Sequence, residues 1–309
     1  SGRLGFLCGK FRSFAWASPL RGNLTSQNVT HGNMKRFKIG IIGAGHIAIK
    51  MASTLNAMQS AEPYGIAARD KSKAEAFAAA HNITKAYGSY EALADDPDVD
   101  LIYIATPHSL HYTHARMCLE RGKAVLCEKA FTANAAEAEE LIRLSQSKGV
   151  FLAEAIWTRY MPFSRTIAEI AASGAIGTPH MLSAHLGYPV GTVERILRPE
   201  LGGGALLDLG VYTLNFASMC FGADIARIDS ACTLSETGVD LQESITLRFA
   251  DGRMAILQAT ALCANDRQGI ICGDKGYIVV DNINNPLHAT LHAPDHTVVR
   301  TYDAPPQIT

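Results

Sequence analysis

The spacing of apolar and polar positions changes once along this chain. From Phe37 onward, short apolar runs alternate with longer stretches of helical spacing. Lys38-Ile39-Gly40-Ile41-Ile42 is an apolar run that leads into glycines, which predicts a buried parallel strand. A helix is predicted from there to about Met58, a second strand over Tyr64–Ala68 and an Ala-rich helix over Ser72–His81. Asp100–Ala105, Ala124–Cys127 and Gly149–Ala153 predict three more strands, with helices near 109–121 and 133–148 between them. Strands and helices alternating at these lengths predict right-handed βαβ crossovers and a doubly wound parallel sheet.

After Ala155 the period shifts. Ser244–Phe249 alternates polar and apolar, and Asp251-Gly252 follows as a hairpin signal. Met254–Leu262 and Ile270–Val280 predict further strands, broken by turns such as Gly273–Gly276, with helices near 163–173 and 205–220. The expected fold class is α/β: an N-terminal Rossmann-type sheet, then an α+β domain with a large, mostly antiparallel, open-faced sheet. A one-sided sheet of that size buries its other face against helices or a second subunit, so a homodimer through the C-terminal sheet is expected. His288, His292 and His296 fall in what reads as a surface segment and are given no role.

Composition narrows the function. The chain has 309 residues, 28 Lys+Arg against 29 Asp+Glu for a net charge of −1, and 48% hydrophobic residues. At this length two domains are expected. A balanced charge carries no footprint for nucleic acid or an anionic membrane, and no run of about 18 apolar residues stands out. Seven cysteines, odd in number and without a C-x-x-C, suit a reducing compartment, and a cytoplasmic location is expected. Residues 1–35 carry basic but no acidic side chains and no hydrophobic period, and read as a disordered tail or a leader before Met34. The expected layout is therefore 1–35, a parallel-sheet domain over 36–154, and a second, mostly antiparallel domain over 155–309.

Several motifs carry chemistry. Gly43-Ala44-Gly45-His46-Ile47-Ala48 joins the first strand to the first helix, where glycines permit a tight turn and let a pyrophosphate approach the helix N-terminus. Gly43, Gly45, His46 and Ile47 are thus candidate coenzyme contacts. The second strand ends Ala67-Ala68-Arg69-Asp70, with Lys73 beyond. Arg69 and Lys73 suit the 2′-phosphate of NADP, whereas Asp70 could serve the ribose of NAD, and a solvent-facing Arg69 is the plain alternative. NADP is the expected coenzyme, with NAD as the lesser reading. Thr106-Pro107 follows the third long strand and leads into His108, His111 and His114. At helical spacing these histidines spread over a broad face without an interleaved carboxylate, so no metal site is expected, and His111 is read as a coenzyme or domain contact. Glu128-Lys129 ends another strand, either as a surface ion pair or with the lysine beside the nicotinamide. Finally, Gly202-Gly203-Gly204 precedes Asp208 and Tyr212, whose spacing of four puts them on one helical face. The glycines admit close approach of backbone or of ligand.

Together, Gly43-x-Gly45-x-x-Ala48, Thr106-Pro107-x-x-x-His111, Gly122-Lys123-x-Val125-x-Cys127-Glu128-Lys129 and Gly203-Gly204-x-x-x-Asp208-x-Gly210-x-Tyr212 resemble the glucose–fructose oxidoreductase/inositol dehydrogenase (Gfo/Idh/MocA) family. Within it, Ala67–Asp70 and Glu154–Arg159 most resemble the dimeric dihydrodiol dehydrogenase (D-xylose dehydrogenase) branch. The resemblance covers Phe37 to the end. It implies a Rossmann domain joined to an α/β domain whose open sheet makes a dimer, and NADP meeting Arg69, with His111 and Lys129 near the coenzyme. It further implies Asp208 and Tyr212 as the catalytic pair and Trp157 and Arg159 at the substrate. Ala130 stands where the family has Pro after Glu-Lys, and relatives continue for several tens of residues beyond Thr309, so the second domain is expected to be C-terminally incomplete.

The expected activity is hydride transfer between NADP and a diol, sugar or dicarbonyl. Tyr212 exchanges the hydroxyl proton, Lys129 stabilises the phenolate or acts as the acid/base itself, and Asp208 orients the group. The alternatives are an NAD-dependent inositol or sugar dehydrogenase and a catalytically idle NADP(H)-binding sensor.

Overall fold

The computed structural model describes residues 36–306, so the 1–35 segment with Cys8 lies outside the described residues. The described chain divides into two compact units, one built from 36–131 and 136–154 and the other from 132–135 and 155–306.

The first unit runs β1 (Phe37–Ile42), α1 (His46–Ala57), β2 (Ala61–Ala67), α2 (Lys71–Ala80), β3 (Lys85–Tyr87), α3 (Tyr90–Asp95), β4 (Leu101–Ile104), α4 (His111–Glu120), β5 (Ala124–Glu128), α5 (Ala135–Lys148) and β6 (Leu152–Ala155), with Ala135 and Ala155 at the ends of α5 and β6 counted to the other unit. The strands form one sheet in the order β3-β2-β1-β4-β5-β6. β1 pairs in parallel with both β2 and β4, and β4 with β5, so their carboxyl ends share one edge. The chain leaves β1 toward β3 and returns on the other side at β4, which makes the β1/β4 crevice a topological switch point. Ile42, Ile102, Ile104, Leu119, Val125 and Leu141 form the core between sheet and helices, as expected for strands buried on both faces. β3 and α3 go beyond the sequence expectation. A three-residue strand such as Lys85–Tyr87 carries too few positions to show a period. β6 begins and ends later than the expected 149–153.

The second unit runs α6 (Pro162–Ala172), β7 (Pro179–Gly187), α7 (Glu194–Leu197), α8 (Val211–Phe221), β8 (Ile225–Leu234), β9 (Asp240–Phe249), β10 (Met254–Thr260), β11 (Gly269–Gly273), β12 (Gly276–Val280), β13 (His288–His292) and β14 (Val298–Asp303). Eight strands pair in the order β14-β13-β12-β11-β7-β10-β9-β8. β7 and β10 run parallel, and the other pairings are antiparallel. Alternation along β9 and β10 turns Ile245, Leu247, Phe249, Leu257 and Ala259 inward. Phe163, Ile167, Ile170 and Ala171 repeat at helical spacing on α6, and with Phe216 of α8 they cover that inward face. β7 goes beyond the sequence expectation, which had no strand between the helices near 163–173 and 205–220, and the supposed surface segment at His288 is the paired strand β13. By length and composition alone, Pro199–Phe221 would pass as a membrane span, but 61% of its apolar window is buried inside the protein, where it forms core. Cys118, Cys127, Cys220, Cys232, Cys263 and Cys272 are all free.

Candidate functional site

At the carboxyl edge of the parallel sheet, the loops after β1, β2, β4 and β5 bring together most of the residues singled out in the sequence. Gly43 has φ +97, and a Cβ there would lie 2.8 Å from Ala105 O, so the β1 loop requires glycine to pass the end of β4. At Gly45 a Cβ would meet no atom within 4 Å. Gly45 is also the N-cap of α1, which has no side-chain cap and no acidic residue in its first turn. The orphan N–H groups of that helix therefore face an opening suited to an anion. His46 and Ile47 are exposed beside it.

Arg69 is exposed beyond the end of β2, and Lys73 is exposed on the first turn of α2. Asp70 is committed elsewhere. Its Oδ1 accepts from Ser72 N at 2.9 Å and Ser72 Oγ at 2.8 Å, capping α2. The acidic group that would read a ribose diol is thus turned to its own helix, while the two cations stay outward. Pro107 is exposed after β4, and Thr106 Oγ1 meets His114 Nδ1 at 3.0 Å.

His111 is fully buried, its Nδ1 2.7 Å from Ala130 O and its Nε2 2.8 Å from Thr106 O. Burial holds its pKa below the ordinary imidazole value against the pull of those carbonyls. The ring therefore clamps the β4 loop to the residue after Lys129 and acts on that edge through the backbone. The Lys129–Ala130 peptide bond is cis. Tyr103 OH donates to Glu128 Oε1, and burial raises the Glu128 pKa while that phenol opposes it. Among the described residues, no group of three His, Cys, Asp or Glu side chains comes together as a metal site.

The second unit carries a different kind of site. Residues 206–210 form a π-helical turn that runs into α8, placing Asp208 in the turn and Tyr212 in the α-helix proper. The two do not sit on one regular helix, as their spacing alone suggested. Tyr212 is 7% exposed, and Trp157 Nε1 donates to its hydroxyl at 3.1 Å. An N–H donor at that oxygen stabilises negative charge there. Trp157 belongs to a short 3-10 turn (Trp157–Tyr160) that Arg159 ties to α8, donating from Nε to Asn215 Oδ1 at 2.8 Å and from Nη2 to Ser218 Oγ at 2.6 Å. Asn215 Nδ2 in turn donates to Thr158 Oγ1 at 3.0 Å. Arg159 thereby anchors the turn that aims Trp157.

Asp208 is buried and meets Arg195 in a two-toothed pair, Nη1 to Oδ1 at 3.0 Å and Nη2 to Oδ2 at 3.2 Å. Arg195 was not singled out in the sequence. It stands 13 residues before its partner in a segment without period, and no local signal marks it. Glu243 was also missed. It shares the inward row of β9 with Ile245 and Leu247, so strand parity is the signal that would have found it.

Comparison with known proteins gives a consistent picture. Residues 37–155 match the family model described as oxidoreductase family, NAD-binding Rossmann fold, and residues 164–279 match the GFO/IDH/MocA C-terminal domain. The chain is 43% identical over 247 residues to trans-1,2-dihydrobenzene-1,2-diol dehydrogenase of Xenopus laevis, covering 79% of this chain and 74% of that one. To the Mus musculus protein of the same name it is 39% identical over 256 residues, covering 82% and 77%. Among solved structures, KijD10, a 3-ketoreductase from Actinomadura kijaniata in complex with NADP and TDP-benzene, superposes with a TM-score of 0.80 at 26% identity, covering 88% of this chain and 85% of that one. Aldose-aldose oxidoreductase from Caulobacter crescentus shares the fold at a TM-score of 0.79 and 21% identity, covering 89% and 85%.

Proposed function

The chain belongs to the Gfo/Idh/MocA oxidoreductase family, and from that premise we propose that it is an NADP-dependent dehydrogenase of trans-dihydrodiols, with aldoses and dicarbonyls as the wider substrate class. The observation that carries this reading is the buried Tyr212 phenol, its oxygen met by the Trp157 indole N–H, one helical turn beyond a buried Asp208.

The residues of the first unit fit the coenzyme. The open space at Gly45 and the uncapped start of α1 suit the pyrophosphate. Arg69 and Lys73 suit the 2′-phosphate, and the engagement of Asp70 with Ser72 disfavours NAD. When bound, NADP⁺ supplies the nicotinamide carbon that takes the hydride. In oxidation, Tyr212 takes the substrate's hydroxyl proton, and the Trp157 donor stabilises the phenolate that receives it. Asp208 accepts a hydrogen bond and fixes the orientation, and Lys129, just past the end of β5, belongs to the coenzyme edge of the first unit. Trp157, 43% exposed, offers its ring to an apolar or cyclic substrate face. The non-buried face of the large sheet, carrying Ile256 and Met181, is the surface through which we expect a homodimer.

The deciding experiment measures initial rates with NADP⁺ and NAD⁺ on trans-dihydrodiols, aldoses and inositols, with Tyr212→Phe alongside. The expected result is turnover of diols with NADP⁺, abolished in Tyr212→Phe while NADP⁺ still binds. Equal rates with NAD⁺ sink the coenzyme assignment. Binding without turnover across the panel transfers the reading to an idle coenzyme sensor.

A further inference from the structure

The segment between β7 and the π turn shows no hydrophobic period, yet it is built to deliver one side chain. Ile196, 1% exposed, anchors the short helix α7 in the core. Gly203 N donates to Arg198 O at 3.1 Å, Gly204 N to Ile196 O at 2.9 Å, and Thr237 Oγ1 to Leu197 O at 2.6 Å. A Cβ at Gly203 would lie 2.3 Å from Ile196 O and 2.9 Å from Arg195 O. Glycine there lets the chain fold back on α7, and the fold-back carries the Arg195 guanidinium onto Asp208.

Within this unit, the titratable side chains brought to the 206–210 turn include Arg195 from α7, Asp240 and Glu243 from β9, and Tyr212 from α8. β7 and β10 turn apolar residues such as Leu186, Leu257 and Ala259 inward. The three carboxyl groups are held differently. Asp240 Oδ2 accepts from Leu206 N at 2.5 Å. Glu243 lies against Gly210, where a Cβ would be 2.4 Å from its Oε1, and neither of its oxygens has a hydrogen-bond partner. Asp208 has the fork of a guanidinium whose own side chain is 54% exposed.

We infer that Arg195 is a positioning residue that locks Asp208 in one orientation and in its charged form, so that Asp208 enters the reaction as a hydrogen-bond acceptor and never as a proton donor. A two-toothed guanidinium–carboxylate pair fixes the plane of the acid as well as its charge, which a lysine does not. This rests on the reading of Asp208 and Tyr212 as the reacting pair.

The test compares pH profiles of kcat and kcat/KM with NADP⁺ and a turned-over dihydrodiol for the wild type, Arg195→Met, Arg195→Lys and Asp208→Asn. Arg195→Met is expected to lose roughly 10- to 100-fold in kcat, with the dissociation constant for NADP⁺ unchanged. Its acid limb should move to higher pH by about one unit, because the charge that favoured the carboxylate is gone. Arg195→Lys should recover the acid limb but only part of kcat. Guanidinium ion at non-denaturing concentration should restore turnover to Arg195→Ala, a readout that a merely structural role does not move. An unshifted acid limb in Arg195→Met, or no rescue of a folded Arg195→Ala, overturns the inference. Near-normal turnover in Asp208→Asn instead overturns the assignment of Asp208 itself, so the two failures are distinguishable.

Discussion

At Gly45, ahead of α1, an added Cβ would meet no atom within 4 Å, whereas at Gly203, ahead of the π turn, it would lie 2.3 Å from Ile196 O. Both glycines belong to short Gly-rich turns that lead into a helix, and in a bare sequence they look alike. In the first turn the missing side chain leaves room that the protein does not fill, at a helix start with unused N–H groups. In the second, the protein's own backbone occupies the room, and the gain is an arginine seated on a carboxylate. A Gly-rich turn thus marks close approach, and only the surroundings tell whether a ligand or the chain itself approaches.

The largest effect should come from filling the second turn. Gly203→Ala forces backbone against backbone and is expected to cost about 3 kcal/mol, seen as a lower Tm together with lost turnover. An unchanged Tm would mean that the second turn is as open as the first.

Next in size is the pH response of Glu243, the carboxyl packed against Gly210 in the π turn. Burial, with the nearby Asp240 adding to it, pushes the Glu243 pKa up to about 9 from an ordinary 4.5. The folded protein then keeps a proton that the unfolded chain has released across this window. Stability is full below the ordinary value and falls as pH rises toward 9, by at most roughly 1.4 kcal/mol per pH unit from this group. Glu243→Gln should remove that slope in urea unfolding at pH 6, 7 and 8. Parallel slopes in the two proteins would show Glu243 already ionised. The smallest effect belongs to the first turn. Gly45→Ala should leave the Tm of the free protein within about 1 °C and weaken NADP⁺ binding about tenfold. An unaltered affinity would show that the open space is not where the coenzyme lies.

How much of this was legible in the sequence follows from where each signal resides. Buried parallel strands announce themselves as apolar runs, so β1, β4 and β5 stand out, and with them the edge that carries Gly45, Arg69 and Lys129. β8 and β14 lie at the edges of the large sheet, where most side chains are exposed, and edge strands need no apolar alternation. Asp208 and Tyr212 were visible as a pair, but the π turn between them was not, because it is set by how α8 packs rather than by local composition. Arg195 depended on a backbone fold-back that no periodicity encodes.

A π turn is in effect one residue inserted into an α-helix. Deleting a single residue from 205–210 would let the segment relax into regular α-helix, rotating everything upstream by about 100° relative to α8. With the residue taken from 209–210, Tyr212 would keep its place against Trp157 while Asp208 turned about the helix axis relative to it. This stretch should therefore accept exchanges of side chain far more readily than any change in its length.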